Sequence, residues 1–184
     1  MPEAAPYVAV AGAADATASQ LDAALEIGRG LAQAGAIVVT GGLGGVMEAA
    51  CRGAARSAAH RPGVVIGILP GDDPEAANAH VDLAIATGLG HLRNGIVARA
   101  DAVVAVGGGA GTLSEMALAW IERRLLLAYR VVGWSGRLAG TRIDERRRFA
   151  SIPDDQVFGV GSAEEAVATL ELRLPEYVAA RRNG

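Results

Sequence analysis

Short apolar segments alternate with helix-like segments along this chain, and this alternation constrains the fold more than any other feature. The strand-like apolar segments are residues 7–12, 36–40, 63–70, 81–88, 101–109 and 157–161. They are continuous apolar runs, as expected for strands that are buried on both faces of a parallel sheet. Strands and helices in such regular alternation predict a doubly wound parallel α/β sheet. No long linker or repeat divides the chain, so we expect residues 1–184 to form a single domain.

The segments between the strands have apolar residues at helical spacing. Helices are predicted at residues 19–35, 46–58, 91–100, 112–124 and 162–174. We expect Gly35 to stop the first helix and Ser162 to cap the last one. Residues 123–136 fit a helix end followed by a strand, with the boundary near Leu126. The Arg-rich residues 144–149 form a charge cluster of the kind that usually faces solvent.

Charge and composition exclude several classes of function. The formal net charge is -3, so the surface as a whole gives no support to binding of a nucleic acid polymer. All 17 positive side chains are arginines, which excludes a P-loop lysine, a lysine nucleophile and the lysine aldimine of a pyridoxal-dependent decarboxylase. The single cysteine, Cys51, excludes an intrachain disulfide and a cysteine-clustered metal site, and the three histidines are too scattered to suggest a metal.

The location of the protein is also predicted from what the sequence lacks. The N-terminal residues do not combine a basic region with a long apolar core, so no signal peptide is expected. No uninterrupted apolar run approaches the roughly 20 residues that a membrane span needs. We therefore expect a cytoplasmic protein without a membrane partner.

Glycines follow three of the predicted strands, as Gly12, residues 41–45 and residues 107–111. The carboxyl ends of parallel strands form the ligand-binding edge of such sheets, where glycine lets backbone N–H groups approach an anion. The pattern predicts a site for phosphate or a similar oxyanion, although tight packing of strand against helix would also call for glycine. Neither run matches a dinucleotide fingerprint, because Met47 and Thr112 stand where the last glycine is required. The predicted ligand-binding residues are Gly12, Gly42, Gly44, Gly45, Asn94, Gly108, Gly109, Gly111 and Thr112.

Glu115 has two interpretations. Thr112 and Glu115 have the spacing of a capping box, in which the carboxylate would only close the start of a helix. Alternatively, Glu115 does chemistry beside the glycines, with Arg93 at the preceding strand end as its partner or as a phosphate ligand.

These motifs together resemble those of the Lonely Guy (LOG) superfamily of Rossmann-like proteins, also called SLOG. The P-G-G-x-G-T-x-x-E motif of that family is matched from Gly108 to Glu115, and its M-H-x-R-K motif by His91 and Arg93. Residues 41–54 look like the glycine loop and helix of the family. The resemblance covers about residues 7–120. Family members were once described as lysine decarboxylases, a function that the lack of lysine excludes here.

The resemblance implies hydrolysis of the N-glycosidic bond of a nucleoside 5'-monophosphate, which releases base and ribose 5-phosphate without a metal or cofactor. Glu115 would stabilise the transition state or activate water, and Arg93 would position it. The resemblance also implies a homodimer, for which the helix that carries Met116, Leu118 and Trp120 could supply the contact face.

Two residues depart from the hydrolase pattern. Gly107 stands where the phosphoribohydrolases have proline, and Asn94 stands where they have lysine. Both departures are closer to a sister branch of molybdenum cofactor carrier-like proteins. Similarity to that branch implies a non-catalytic carrier or sensor that binds a phosphorylated pterin cofactor or a nucleotide. Phosphoribohydrolase activity is the first expectation, and such a carrier or sensor is the alternative.

Overall fold

The structure, a computed structural model, describes residues 5–182. Within this range, seven short strands pair side by side in one parallel sheet. The sheet order is β4-β3-β2-β1-β5-β6-β7, and every pairing is parallel. The strands are β1 Tyr7–Gly12, β2 Ile37–Thr40, β3 Val65–Leu69, β4 Leu83–Ala86, β5 Ala102–Val106, β6 Leu125–Tyr129 and β7 Phe158–Val160. The predicted doubly wound α/β fold is confirmed.

Helices cover both faces of the sheet. They are α1 Ala18–Gln33, α2 Val46–Ala55, α3 Asn94–Val97, α4 Ala110–Ile121, α5 Trp134–Leu138 and α6 Ala163–Arg182, with short 3₁₀ helices at Pro74–Ala76 and Gly90–Arg93. Alternate residues of β1 point to opposite faces, as the strand period of two requires. Val8 and Val10 join the core under α1, α2 and α6, whereas Ala9 and Ala11 join the core under α3 and α4.

Several element boundaries differ from the prediction. Helix α4 begins at Ala110 and not at Thr112, and the predicted helix 91–100 is a 3₁₀ turn followed by one turn of α-helix. Helix α5 was not predicted. The predicted cap of α6 is confirmed, since the Glu165 N–H donates to Ser162 Oγ at 3.1 Å.

Helix α6 continues to Arg182 although Pro175 lies inside it. A proline within a helix removes one hydrogen bond and costs about 3 kcal/mol, and the predicted helix ended at residue 174. The helix continues because Leu174 and Tyr177, on either side of the proline, are both buried in the core. Burial of these side chains outweighs the local backbone penalty.

The arginine cluster at residues 144–149 is not wholly solvated. The Arg148 side chain is 4% exposed and pairs with Asp155, whose side chain is 2% exposed. The Arg148 guanidinium also stacks on the Trp120 ring at 3.6 Å from its centroid, and Tyr177 donates its hydroxyl hydrogen to Asp155 at 2.6 Å. For Arg148 the prediction was wrong, because this buried network attaches the loop before β7 to α4 and α6.

The predicted contact face on α4 is also wrong for two of its three residues. Met116 and Trp120 are fully buried in the core of the protomer, and only Leu118 is partly exposed. Within residues 5–182, no helix is both long and apolar enough to span a bilayer.

The strand order reverses direction between β1 and β5, which creates a switch point in the sheet. From β1 the chain builds outward in one direction through β2, β3 and β4, and it then returns to β5 on the other side of β1. In open α/β sheets, the crevice at such a switch point, beyond the carboxyl ends of the strands, is where ligands bind. The glycines after β1 and β5 flank this crevice.

Candidate functional site

The loop that follows β1 packs directly on the start of α2. The Val46 N–H donates to the Ala13 carbonyl at 3.0 Å. A Cβ atom on Gly12 would lie 2.3 Å from Val46 Cγ1, and one on Gly45 would lie 2.3 Å from the Ala13 carbonyl oxygen. Such distances leave no room for a side chain. Gly12 and Gly45 are therefore required by packing, which was the alternative interpretation of these glycines.

The loop after β2 is held by a residue that the sequence did not indicate. Asn78 donates its backbone N–H to the Gly42 carbonyl at 2.8 Å and its side-chain amide to the Leu43 carbonyl at 3.0 Å. Gly42 has a φ of 74°, and its N–H donates to Thr40 Oγ1 at 3.0 Å. Asn78 lies in the turn-rich segment before β4, where the sequence offers only a general loop signal.

The same loop is a weaker anion site than its glycines suggest. A Cβ on Gly44 would meet nothing closer than Glu48 Oε2, at 3.9 Å. Glu48 lies in the first turn of α2, so its carboxylate already interacts with the positive end of that helix. An anion bound at Gly44 would be repelled by the negative charge of Glu48.

The loop after β5 has the strongest anion-binding geometry. Within residues 5–182, none of the backbone N–H groups of residues 108–112 donates a hydrogen bond, and they lie at the start of α4. Added Cβ atoms on Gly109 and Gly111 would meet no atom within 4 Å, so these two glycines face open space. Consecutive free N–H groups at a helix N-terminus form an oxyanion site.

Thr112 and Gly108 complete this loop. Gly108 has a φ of 85°, and a Cβ on it would lie 2.1 Å from Thr112 Oγ1, so the threonine side chain covers the glycine backbone. The Thr112 side chain is buried, yet its hydroxyl makes no hydrogen bond within the described part of the chain. The hydroxyl can therefore serve a ligand at the same place as the free N–H groups.

Arg93 and Glu115 form a buried ion pair next to the loop. Arg93 Nη1 donates to Glu115 Oε1 at 3.3 Å, and the side chains are 10% and 7% exposed. The guanidinium lies over Gly41 at the end of β2, because a Cβ there would lie 2.3 Å from Arg93 Nη1. The Nε of Arg93 is buried and donates to no acceptor among residues 5–182.

Glu115 is not a helix cap. The N-cap of α4 is Gly109, and Thr112 is the third residue of the helix, so the carboxylate of Glu115 lies a turn too far along to reach the orphan N–H groups. Burial raises the pKa of Glu115 to about 7, an effect that the nearby Arg93 opposes. Burial likewise lowers the pKa of Arg93. The capping interpretation was wrong, and the predicted pairing with Arg93 is confirmed.

Asn94 supports the site by hydrogen bonds to α4. Its side-chain amide donates to Ser114 Oγ at 2.6 Å and weakly to the Gly111 carbonyl at 3.5 Å, while Ser114 Oγ donates to the same carbonyl at 2.8 Å. The amide nitrogen is thus engaged with α4, although the sequence predicted that Asn94 would contact the ligand. These bonds join α3 to the first turn of α4 and so fix the distance between Arg93 and Glu115.

Metal ligation has no support in this region. Among residues 5–182, no three His, Cys, Asp or Glu side chains come together in a way that could hold a metal ion. Cys51 is buried beneath the β2 loop, where its thiol lies 3.3 Å from Thr40 Oγ1.

Comparison with known proteins identifies a family and similar structures. The model of the SLOG cluster 4 family matches residues 5–168. An uncharacterised protein of Archaeoglobus fulgidus is 40% identical over 116 residues, which are 62% of this chain and 74% of that protein.

Two solved structures cover nearly the whole chain. The molybdenum cofactor binding protein of Rippkaea orientalis is 34% identical, covers 92% of this chain and 97% of its own, and superposes with a TM-score of 0.77. The molybdenum cofactor carrier protein of Chlamydomonas reinhardtii is 30% identical, with coverages of 94% and 99% and a TM-score of 0.73.

Proposed function

The chain belongs to the SLOG cluster 4 family, and on that premise we propose that it binds and carries a phosphorylated small molecule of the molybdenum cofactor type or a nucleotide. One observation carries the proposal: the free N–H groups of residues 108–112 lie at the start of α4, and the Arg93 guanidinium is paired with Glu115 in the second turn of the same helix. Hydrogen bonds from consecutive N–H groups, the partial charge of the helix and one full positive charge suit a phosphate group.

The relatives favour binding over hydrolysis. Two proteins described as binding or carrying the molybdenum cofactor are similar to this chain over nearly its full length. The sequence placed phosphoribohydrolase activity first and the carrier second. Gly107 and Asn94, where the hydrolases have proline and lysine, had already pointed to the carrier branch.

The cofactor would be held as cargo through its phosphate and its organic part. The residues that fit the phosphate are Gly109, Gly111, Thr112 and Arg93. The described residues offer no cluster of thiolate or imidazole ligands for the metal. Retention of such a cargo would therefore depend on recognition of its phosphate and its organic part, and not on ligation of its metal.

Hydrolysis of nucleoside 5'-monophosphates is a second candidate, for which the state of Glu115 is the specific observation. Its carboxyl has a pKa of about 7 because of burial, and its Oε2 accepts no hydrogen bond within residues 5–182. A carboxylate with such a pKa can take a proton from water as the C1'–N bond breaks. The resulting hydroxide would then add to C1', and the proton held by Glu115 would pass to the departing base nitrogen.

One experiment tests both candidates on the same samples. Phosphate-free protein is mixed with nucleoside 5'-monophosphates and with the phosphorylated pterin of the molybdenum cofactor. Calorimetry measures binding, and chromatography measures free base and ribose 5-phosphate. Binding without release of base supports the carrier, whereas release that is abolished in Glu115→Gln supports the hydrolase. Absence of both binding and release would contradict the two proposals together.

A homodimer was predicted from the resemblance, and it stays a prediction. The α4 face proposed for it is mostly core, but another apolar surface is exposed. Ile85 on the edge strand β4 and Ile96 on α3 line one groove, and Leu83 on β4 and Leu89 and Leu92 at the following 3₁₀ helix are also exposed. We propose that a second copy of the chain covers this surface, because α3 is too short to shield β3 and β4 on that face.

A further inference from the structure

The anion-binding loop is held from the far side by the segment between β6 and α5. Ser135 is fully buried, and its Oγ accepts the Gly107 N–H at 2.7 Å while donating to the Tyr129 carbonyl at 2.7 Å. One hydroxyl thus joins the end of β6 to the end of β5.

Backbone hydrogen bonds repeat this connection. The Ser135 N–H donates to the Gly107 carbonyl at 3.0 Å, and the Trp134 N–H donates to the Gly108 carbonyl at 3.1 Å. The two chains touch here, since a Cβ on Gly133 would lie 2.5 Å from the carbonyl carbon of Gly107. The N–H and carbonyl of Gly107 and the carbonyl of Gly108 are therefore directed toward the start of α5, whereas the Gly108 N–H is not.

This arrangement determines which N–H groups remain for a ligand. The Gly107 N–H is occupied by Ser135, and the next five, from residues 108 to 112, have no acceptor in the described chain. Gly107 has a φ of 61°. Proline fixes φ near −65° and has no N–H, so proline at this position is incompatible with both the backbone and the bond to Ser135.

We propose that Ser135 is a positioning residue for the bound anion. It does not contact the ligand, but it orients the turn at Gly107 so that the following N–H groups converge on one phosphate oxygen cluster. The inference rests on the proposed function, because it concerns the same phosphate site. In the hydrolases that the chain resembles, the loop proline would fix this turn. In this chain, the β6–α5 segment would fix it instead.

The test compares Ser135→Ala with Ser57→Ala. Ser57 is buried as well, and its Oγ accepts a backbone N–H, that of Ala59, at 3.2 Å, but it follows α2 and does not touch the loop. Both variants lose one hydroxyl that accepts a backbone N–H. Unfolding in urea measures stability, and calorimetry measures binding of inorganic phosphate and of the nucleotide or pterin that binds the wild type. Amide hydrogen exchange follows residues 107–112.

We expect Ser135→Ala to bind phosphate at least about fivefold more weakly than the wild type, because one loop N–H is left without its acceptor. Exchange at Gly107 should become faster, and Ser135→Thr, which keeps the hydroxyl, should restore slow exchange and part of the affinity. Ser57→Ala should bind like the wild type.

Two other results would overturn the inference. The first would leave the proposed function intact, and the second would remove it as well. Equal phosphate affinity in Ser135→Ala and wild type, whatever the change in stability, would leave Ser135 with a structural role only. A wild-type protein that binds neither phosphate nor any phosphorylated ligand would remove the proposed function and this inference with it.

Discussion

Arg93 Nη1 lies 3.3 Å from Glu115 Oε1, and the pair joins the 3₁₀ turn before α3 to the second turn of α4. Burial disfavours both charges, and their mutual attraction compensates only in part. The site therefore contains a carboxyl group that titrates near neutral pH next to a cation with unused donors.

The raised pKa of Glu115 predicts a pH dependence of stability. A carboxyl whose pKa rises from 4.5 to about 7 on folding binds protons more tightly in the folded state. Its contribution is complete below pH 4.5 and is lost as pH rises through about 7. Glu115→Gln removes this loss, so the wild type should lose on the order of a few kcal/mol more than the variant between pH 5 and pH 8. Urea unfolding at both pH values measures the free energy of unfolding of each protein. An equal loss of stability in the wild type and in Glu115→Gln would contradict the assigned pKa.

Removal of the cation should affect both stability and binding. In Arg93→Gln, Glu115 loses its buried partner, so the pKa of its carboxyl should rise further. Breaking the buried pair should cost about 3 kcal/mol, and affinity for phosphate should fall at least tenfold. Arg99→Gln is the matched control, because Arg99 pairs with Glu122 at 3.1 Å with its side chain 65% exposed. An exposed pair of this kind contributes less than about 1 kcal/mol. Equal effects of the two substitutions on phosphate binding would argue against Arg93 as a ligand.

Gly111→Ala should separate stability from binding. Gly111 is a helical residue of α4 that faces open space, so alanine should stabilise the fold by about 0.5–1 kcal/mol through its better helix propensity. The added methyl group would lie where an anion approaches, and phosphate affinity should fall. Gly95→Ala in α3, which is equally open, is the control and should not weaken binding. If Gly111→Ala binds phosphate as tightly as the wild type, the anion does not bind at this loop.

Asn78 should be required for the shape of the β2 loop. Asn78→Asp removes the amide donor and places a carboxylate against the Gly42 and Leu43 carbonyls, so it should destabilise the protein more than Asn78→Ala, which we expect to cost about 1–2 kcal/mol. Urea unfolding gives both values. The reverse order of the two variants would contradict the hydrogen bonds described for Asn78.

The apolar surface on β4 should control self-association. Ile85 is 43% exposed, and Ile85→Glu should convert a dimer into a monomer because it places a charge in the contact. Leu172→Glu is the control, since Leu172 is 77% exposed on α6 at the other face of the sheet. Light scattering after size exclusion gives the molar mass. A dimer that survives Ile85→Glu would place the contact elsewhere.

The sequence by itself determined the strands, most of the helices and the edge of the sheet at which the site lies. Short continuous apolar runs that end in glycine or proline favour buried strands, and glycine after β5 predicts a backbone that approaches a ligand, so both signals are local. The stretch from Gly108 to Glu115, with Arg93, was enough to predict the family and the candidate site.

Only the tertiary structure decided what these residues do. Glu115 was either a cap or a partner of Arg93, and the choice depended on where α4 begins and on a contact with a residue 22 positions away. Ser135 and Asn78 reach the loops across 28 and 36 positions, distances over which a sequence pattern carries no signal. The helix end at residue 174 and the solvent-facing arginine cluster were predicted from local patterns, which core packing and a buried ion pair outweighed. Local propensities are worth fractions of a kcal/mol to a few kcal/mol per residue, and burial among distant neighbours is at least as large.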